Sequence, residues 1–268
     1  MASPIDRFTE RDITTLSSLA DMPVDELRSL AKSRPWRVAE LLASDAVFDG
    51  VMDRHAHPLA AVSPSFLFSV LVHRAASQLR EASYLDEWVG VGTRLPVYDM
   101  EGVHDFLTDS SRLTFLSDLL GAFVAPPALP MPLDDPLDLL AIAMWLDVVD
   151  DAHRVALLRR MGDVALFMAG VFPDRAGAQT LEPVAAERLG QTVGLTSDEV
   201  LALCDPSGAA PLDAYERLGA EWYGAVSTLK TSPLVADVAN RFPEARRILN
   251  HVADRFLYRV DPNWRFAA

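Results

Sequence analysis

Apolar residues recur at steps of three and four along most of the chain, and the stretch from Asp150 to Pro173 carries the pattern furthest. There Val155, Leu158, Gly162, Ala165 and Ala169 make a seam that narrows to small residues, with Leu157, Met161, Val164 and Met168 as a second stripe beside it. Two apolar stripes need neighbours on two sides, which predicts a central buried helix over about 150–171. Small residues admit a partner backbone at close range, and residues 211–229 offer that partner. Leu212, Tyr215, Gly219, Trp222, Val226 and Leu229 recur at helical spacing. Gly162 and Gly219 are therefore expected at a close crossing, with large side chains such as Tyr215 and Trp222 filling the room beside them. Asp163 is the one charge between Met161 and Pro173. It reads either as a carboxylate paired within its own helix, one turn after Arg159 and Arg160, or as a buried acid serving a site; pairing is the favoured reading.

The other elements follow from caps and breakers. Residues 1–57 read as short helices broken at Pro23 and Pro35, a small N-terminal appendage to a main domain over 58–268. Ser63-Pro64 is a capping side chain followed by a first-turn proline and opens a helix to about Tyr84. Gly90, Gly92 and Pro96 mark a connection, Asp99 opens a helical run through Phe106, and a further run follows Ser110. APPALPMP at 125–132 is a stiff extended link between two helical halves. Asp135-Pro136 restarts a helix, residues 184–204 give two short helices joined at Gly194, and Pro233 and Pro243 start the last two. No run alternates with period two, so the expected fold is all-α, an irregular multi-helix bundle with no β-sheet.

Half of the 268 residues are apolar, enough for one large core or two modest ones. The longest apolar runs stop short of the roughly 20 residues that span a bilayer, and no basic start leads into an apolar run, so a soluble, cytoplasmic protein is expected. Cys204 is the single cysteine, which excludes an internal disulfide, a thiolate cluster and a CxxC pair. A net charge of −14 opposes binding to nucleic acid or anionic membranes. The paired short helices at 184–204 have helix-turn-helix spacing, but Asp198, Glu199 and Asp205 would meet the phosphates, so a plain hairpin is favoured.

Charge is also unevenly distributed. Residues 241–268 carry six arginines against three acids, a sum of +3, which leaves −17 for the rest. This points to a homo-oligomer, most simply a dimer, in which Arg246 and Arg247 meet an acidic face of a second copy while Phe256, Leu257, Trp264 and Phe266 supply apolar contact. The competing reading folds the arginines onto acids of the same chain.

Phosphate loops, GxSxG and HExxH are absent, so the commonest hydrolase and nucleotide chemistries have no motif here. Glu101 with His104, Asp150 with His153, and His251 with Asp254 stand three apart, a spacing that can share a metal on one helix face. Surface pairs and helix-start acids are the favoured reading of these, as exposed loop residues are of His55 and His57, and no metal or cofactor is expected.

GDVALFMAGVFP at 162–173, followed by AYERLGAEWYGAV at 214–226, resembles an uncharacterised family of bacterial and archaeal helical proteins with a GD-x-x-LF-x-x-G-x-FP segment and a later Y-x-x-x-G-x-x-x-Y segment. The resemblance extends more weakly over 63–75 and 95–107, and the segment 175–211 is longer than the pattern. It implies a helical fold and no reaction. Two function classes stay open: a non-catalytic helical interaction protein that self-associates or docks a protein partner, and a helical-bundle enzyme or binding protein using a metal or a small apolar ligand.

Overall fold

Six helices begin where a short polar side chain takes a backbone N–H of the first turn: Thr9, Ser63, Asp109, Asp138, Asp150 and Thr196. Seven helices carry proline in the first turn, where its missing N–H costs nothing: Pro35, Pro58, Pro64, Pro173, Pro183, Pro233 and Pro243. Ser63 and Pro64 act together at one start. The structure is a computed structural model and describes residues 4–52, 58–125, 135–178, 181–203, 212–230 and 232–258. Residues 126–132 of the link expected at 125–132, and His55, His57, Cys204, Trp264 and Phe266, lie outside the described residues. Among these residues no helix is long and apolar enough to cross a membrane.

The chain forms two compact units, Met1–Ser83 with His104–Pro127, and Tyr84–Val103 with Ala128–Ala268. The first holds α1 (Glu10–Leu19), α2 (Val24–Ser33), α3 (Pro35–Ala43), α4 (Asp45–Met52), α5 (Pro58–Ala61) and α6 (Pro64–Glu81). α7 (Glu101–Phe106) straddles the boundary in sequence, and α8 (Ser110–Val124) completes the first unit. α6 is its inner element, packed by α3, α4, α5 and α8. Phe66, Leu67, Phe68, Val70, Leu71 and Val72 are all buried, and Phe66 meets Phe8 edge-on at 5.1 Å. Asp12, fully buried, ties α1 to the start of α6. Its carboxylate accepts from Thr9 N at 2.8 Å and from Ser63 N at 2.9 Å.

The second unit begins with β1 (Leu85–Gly90) and β2 (Thr93–Val97), an antiparallel pair with Leu85 opposite Val97 and Trp88 opposite Arg94. This hairpin corrects the expectation of no β-sheet. A bulge between Trp88 and Gly90 breaks the alternation that announces a strand, and Pro96 sits in β2, where only an edge strand tolerates it. Gly92, at φ +68°, makes the turn. Trp88 lies against Gly177 and donates from Nε1 to Asp174 at 2.7 Å; the same carboxylate accepts from Gly92 N at 2.9 Å.

α9 (Leu139–Trp145), α10 (Asp151–Val171), α11 (Pro173–Ala178), α12 (Pro183–Gln191), α13 (Ser197–Ala202), α14 (Leu212–Leu229), α15 (Pro233–Asn240) and α16 (Phe242–Val252) follow, the last running into a π-helical turn over Ala253–Leu257. α9 starts three residues later than Asp135-Pro136 suggests, because Asp138 caps it through Leu140 N and Ala141 N. α10 is the buried centre of this unit, packed by α9, α11, α14 and α16. Between Leu157 and Val171 only Arg159, Asp163 and Phe167, each one turn apart, keep partial exposure. Gly162 and Gly219 both lie at the crossing of α10 with α14. A Cβ on Gly162 would strike Tyr223, and one on Gly219 would stand 3.0 Å from the Ala165 Cβ and 2.5 Å from Phe242 Cε2. The side chain over Gly162 is thus Tyr223; Trp222 turns the other way, toward α12.

Candidate functional site

α14 has two working faces. Gly219 and Tyr223 press on α10, while Ala214, Tyr215, Leu218 and Trp222 form one wall of a cavity of about 340 Å³ inside the second unit. Met168 of α10, Leu139 and Leu140 of α9, and Ala185 and Leu189 of α12 close it with apolar surface. Two contacts set its shape. Trp222 is fully buried and donates from Nε1 to Thr192 Oγ1 at 2.7 Å, which fixes the indole against the end of α12. Arg188 on α12 donates to the Ala143 carbonyl at 2.6 Å and to Asp147 at 2.7 Å, clamping α12 onto α9.

The polar groups of this cavity are few and lie together. Asp135, Asp138, Arg175 and Tyr215 line it. Burial pushes the Tyr215 hydroxyl up to about 12, with Arg175 pulling it down and Asp138 adding to the rise. Tyr215 therefore stays a neutral donor at any ordinary pH. Arg175 is exposed and forms no ion pair among the described residues, so its donors face the solvent side of the cavity. Apolar walls with a neutral hydroxyl, one cation and two exposed carboxylates beside them suit a small apolar molecule with a single polar end. The lining residues come from separate segments between Asp135 and Trp222, and no local motif in the sequence marks them. Tyr215 and Trp222 were legible as large residues on one helix; Arg175 and Asp138 were not.

Asp163 sits on the other side of α14. Arg159 Nε donates to its Oδ1 at 2.8 Å and Tyr223 Oη donates to the same oxygen at 2.7 Å, while the Arg159 guanidinium lies 5.2 Å above the Tyr223 ring. Burial raises the Asp163 pKa, and Arg159 and the tyrosine bond only partly restore it. Burial also holds the Tyr223 hydroxyl well above its ordinary value, and the adjacent carboxylate adds to this. The acid is paired at i−4 within its helix, and the tyrosine bond carries that pairing across to α14.

Three of the four residues read as alternative metal ligands make other contacts. Asp150 is the N-cap of α10, accepting from His153 N at 2.9 Å and lying 2.7 Å from His153 Nδ1. His104 places Nε2 3.0 Å from the Leu79 carbonyl, and Glu101 is exposed at the start of α7. No group of three or more His, Cys, Asp or Glu side chains among the described residues has the geometry to hold a metal.

Arg246 and Arg247 turn inward. Arg246 is 5% exposed and pairs with Glu87 of β1 and Glu216 of α14; Arg247 Nε stands 2.5 Å from the other Glu87 oxygen. Arg246 Nη1 also donates to Asn250 Oδ1 at 2.8 Å, and Asn250 Nδ2 donates to the Ala169 and Gly170 carbonyls at 3.0 and 2.7 Å. Burial disfavours the charged guanidinium, but the two glutamates outweigh it and raise its pKa. The guanidiniums of Arg246 and Arg247, expected to meet a second copy, find carboxylates of their own chain, and Phe256 is likewise buried. What the charge count along the sequence leaves out is the direction in which a helix face points.

Comparison with protein-family models, with curated proteins and with solved structures finds no match. What the chain does has to be read from these cavities and surfaces.

Proposed function

We propose that the protein is a non-catalytic helical binding protein whose second unit takes a small, mostly apolar ligand with one polar end. The observation that carries this reading is the cavity between α9, α10, α12 and α14, apolar on its walls with Tyr215 and Arg175 converging at one side. Its volume lies at the lower end of the range found for small-molecule sites. The ligand's polar group would meet the neutral Tyr215 hydroxyl and the Arg175 guanidinium, and its body would displace water from Leu139, Met168, Leu189 and Leu218. Titration with anilinonaphthalene sulfonate, an apolar anionic fluorophore, tests it: saturable binding of one equivalent is expected, lost in Ala185→Phe without a change in melting temperature. Failure of the wild type to bind, or binding unchanged by Ala185→Phe, overturns the reading.

A second reading, self-association, is supported by the hairpin. Val91, Leu95 and Tyr98 are 62%, 53% and 72% exposed, and each strand of a two-stranded ladder has an unpaired edge that a second copy can extend. Light scattering at micromolar concentration decides it. A dimer that Leu95→Lys returns to monomer supports the reading, and a monomeric wild type ends it.

A further inference from the structure

His73, Ser77 and Arg80 stand at i, i+4 and i+7 of α6, so they share one helix face, and all three line a cavity of about 650 Å³ within the first unit. The cavity lies between α3, α6 and the start of α8, with Trp36, Ala39, Leu107 and Leu113 as its apolar wall. His73 is 5% exposed and Ser77 half-buried, and both line the cavity. A buried polar group without a partner costs free energy, and the usual explanation is a ligand or ordered water. The Nε of Arg74, next to His73 in sequence, is such a group, buried and without an acceptor among the described residues.

The charges around this cavity nearly cancel. Arg74 pairs with Asp45, and Glu40 pairs with Arg37 at 2.9 Å. Burial holds the His73 pKa down to about 4, with Arg80 and Arg7 adding to the shift, so the ring is neutral near pH 7. Arg80 remains: it donates Nη2 to the Leu107 carbonyl at 2.8 Å and has no carboxylate within ion-pairing distance among the described residues. One uncompensated guanidinium at the mouth matches one negative charge. A dianion would leave an excess of charge against Glu40 and Asp45.

We propose that this cavity binds a small monocarboxylate that carries a second hydrogen-bonding group, with Arg80 holding the carboxylate and His73 and Ser77 meeting the inner group. Seven residues of helix separate His73 from Arg80, which sets the two polar ends of the ligand about 10 Å apart. Ala39 and Leu113 give the cavity apolar surface beside this polar helix face, and Trp36, 57% exposed, can cover the outer part. The site is distinct from the cavity of the second unit and does not depend on it.

The probe is 8-hydroxyoctanoate, whose chain has the required span, measured by calorimetry against octanoate and 1,8-octanediol. Saturable binding is expected in the order hydroxy acid, then octanoate, then diol. Arg80→Gln, which keeps a donor for the Leu107 carbonyl, should weaken the hydroxy acid by about tenfold or more. His73→Leu should abolish the preference for the hydroxy acid over octanoate yet leave the dependence on Arg80. Ala185→Phe, which blocks the second unit's cavity, should change nothing. The proposal is overturned if the wild type shows no binding, if Arg80→Gln binds as well as the wild type, or if Ala185→Phe abolishes the signal; the last outcome assigns the ligand to the other unit.

Discussion

Among the described residues of the first unit the buried ionisable groups are Asp12, held by backbone N–H donors at a helix junction, and His73, kept as an uncharged ring. The second unit buries a full cation, Arg246, between two glutamates and an asparagine that itself reaches helix carbonyls. Asp12 finishes the backbone's own hydrogen bonding. The second uses charge against charge to fasten three elements, β1, α14 and α16. The two should fail differently when one member is removed, since an orphaned N–H costs its desolvation whereas an orphaned charge costs far more.

The sharpest test is Arg246→Ala, which strands Glu87 and Glu216. A loss of about 3–5 kcal/mol is expected from denaturant unfolding. Replacing the trio together, Arg246→Met with Glu87→Leu and Glu216→Leu, should recover most of that loss, because an apolar set of similar volume needs no charge compensation. If the triple variant is as unstable as Arg246→Ala, the comparison fails. Next in size is Gly219→Leu, which must displace Phe242 and Ala165; an expected loss of about 1–3 kcal/mol or more follows from overpacking, and an unchanged melting temperature contradicts the close crossing. Asp12→Ala should cost about 1–3 kcal/mol by leaving Thr9 N and Ser63 N without their acceptor. Burial alone would raise the Asp12 pKa, but the bonds from Ser63 and Thr9 together hold it below the ordinary value. Its contribution is therefore complete above the unfolded value of 3.8 and is lost as pH falls through the lower folded value, so Asp12→Ala should flatten the stability profile only in strong acid.

The smallest effect is a slope. His73 and His251 are both held to about 4 by burial, His73 also by Arg80 and Arg7, and His251 by Arg255 against the opposing pull of Asp254 and Asp86. Between about pH 4 and 6.5 the unfolded chain binds the protons that the folded chain refuses, so stability rises with pH across that window and is flat with respect to these groups above it. Each ring contributes at most about 1.4 kcal/mol per pH unit, and His73→Leu and His251→Leu should each remove one such share. Equal slopes before and after either substitution count against the buried neutral rings.

How much of this was legible in the sequence depends on the range over which each feature is encoded. The α10–α14 crossing was readable because Gly162, Ala165, Ala169 and Gly219 encode it at helical spacing within two segments. Helix starts at Ser63, Asp150 and Pro233 were readable for the same reason. The hairpin was not, because the bulge at Trp88 and Pro96 in β2 hide its alternation. Arg246 was noticed for its charge, yet its partners Glu87 and Glu216 are 159 and 30 positions away, and nothing local records which face of α16 meets them. The cavities are harder still, since each is the space left between several helices.

Asp174 holds the hairpin by three donors, Trp88, Gly92 and Arg94, although it lies 86, 82 and 80 positions further along the chain, and Arg246 reaches Glu87 across 159. During synthesis at about 5–20 residues per second, the strands would leave the ribosome roughly 8–30 s ahead of their last anchor. For that interval Val91, Leu95 and Tyr98 belong to a hairpin whose inward side, Leu85 and Trp88, has nothing to pack on. An isolated two-stranded ladder is marginal in water, so its docking should be a late step, limited by the closure of a long loop. Chains arrested before residue 174 should be cut by protease within 85–97, and chains that extend beyond residue 258 should resist.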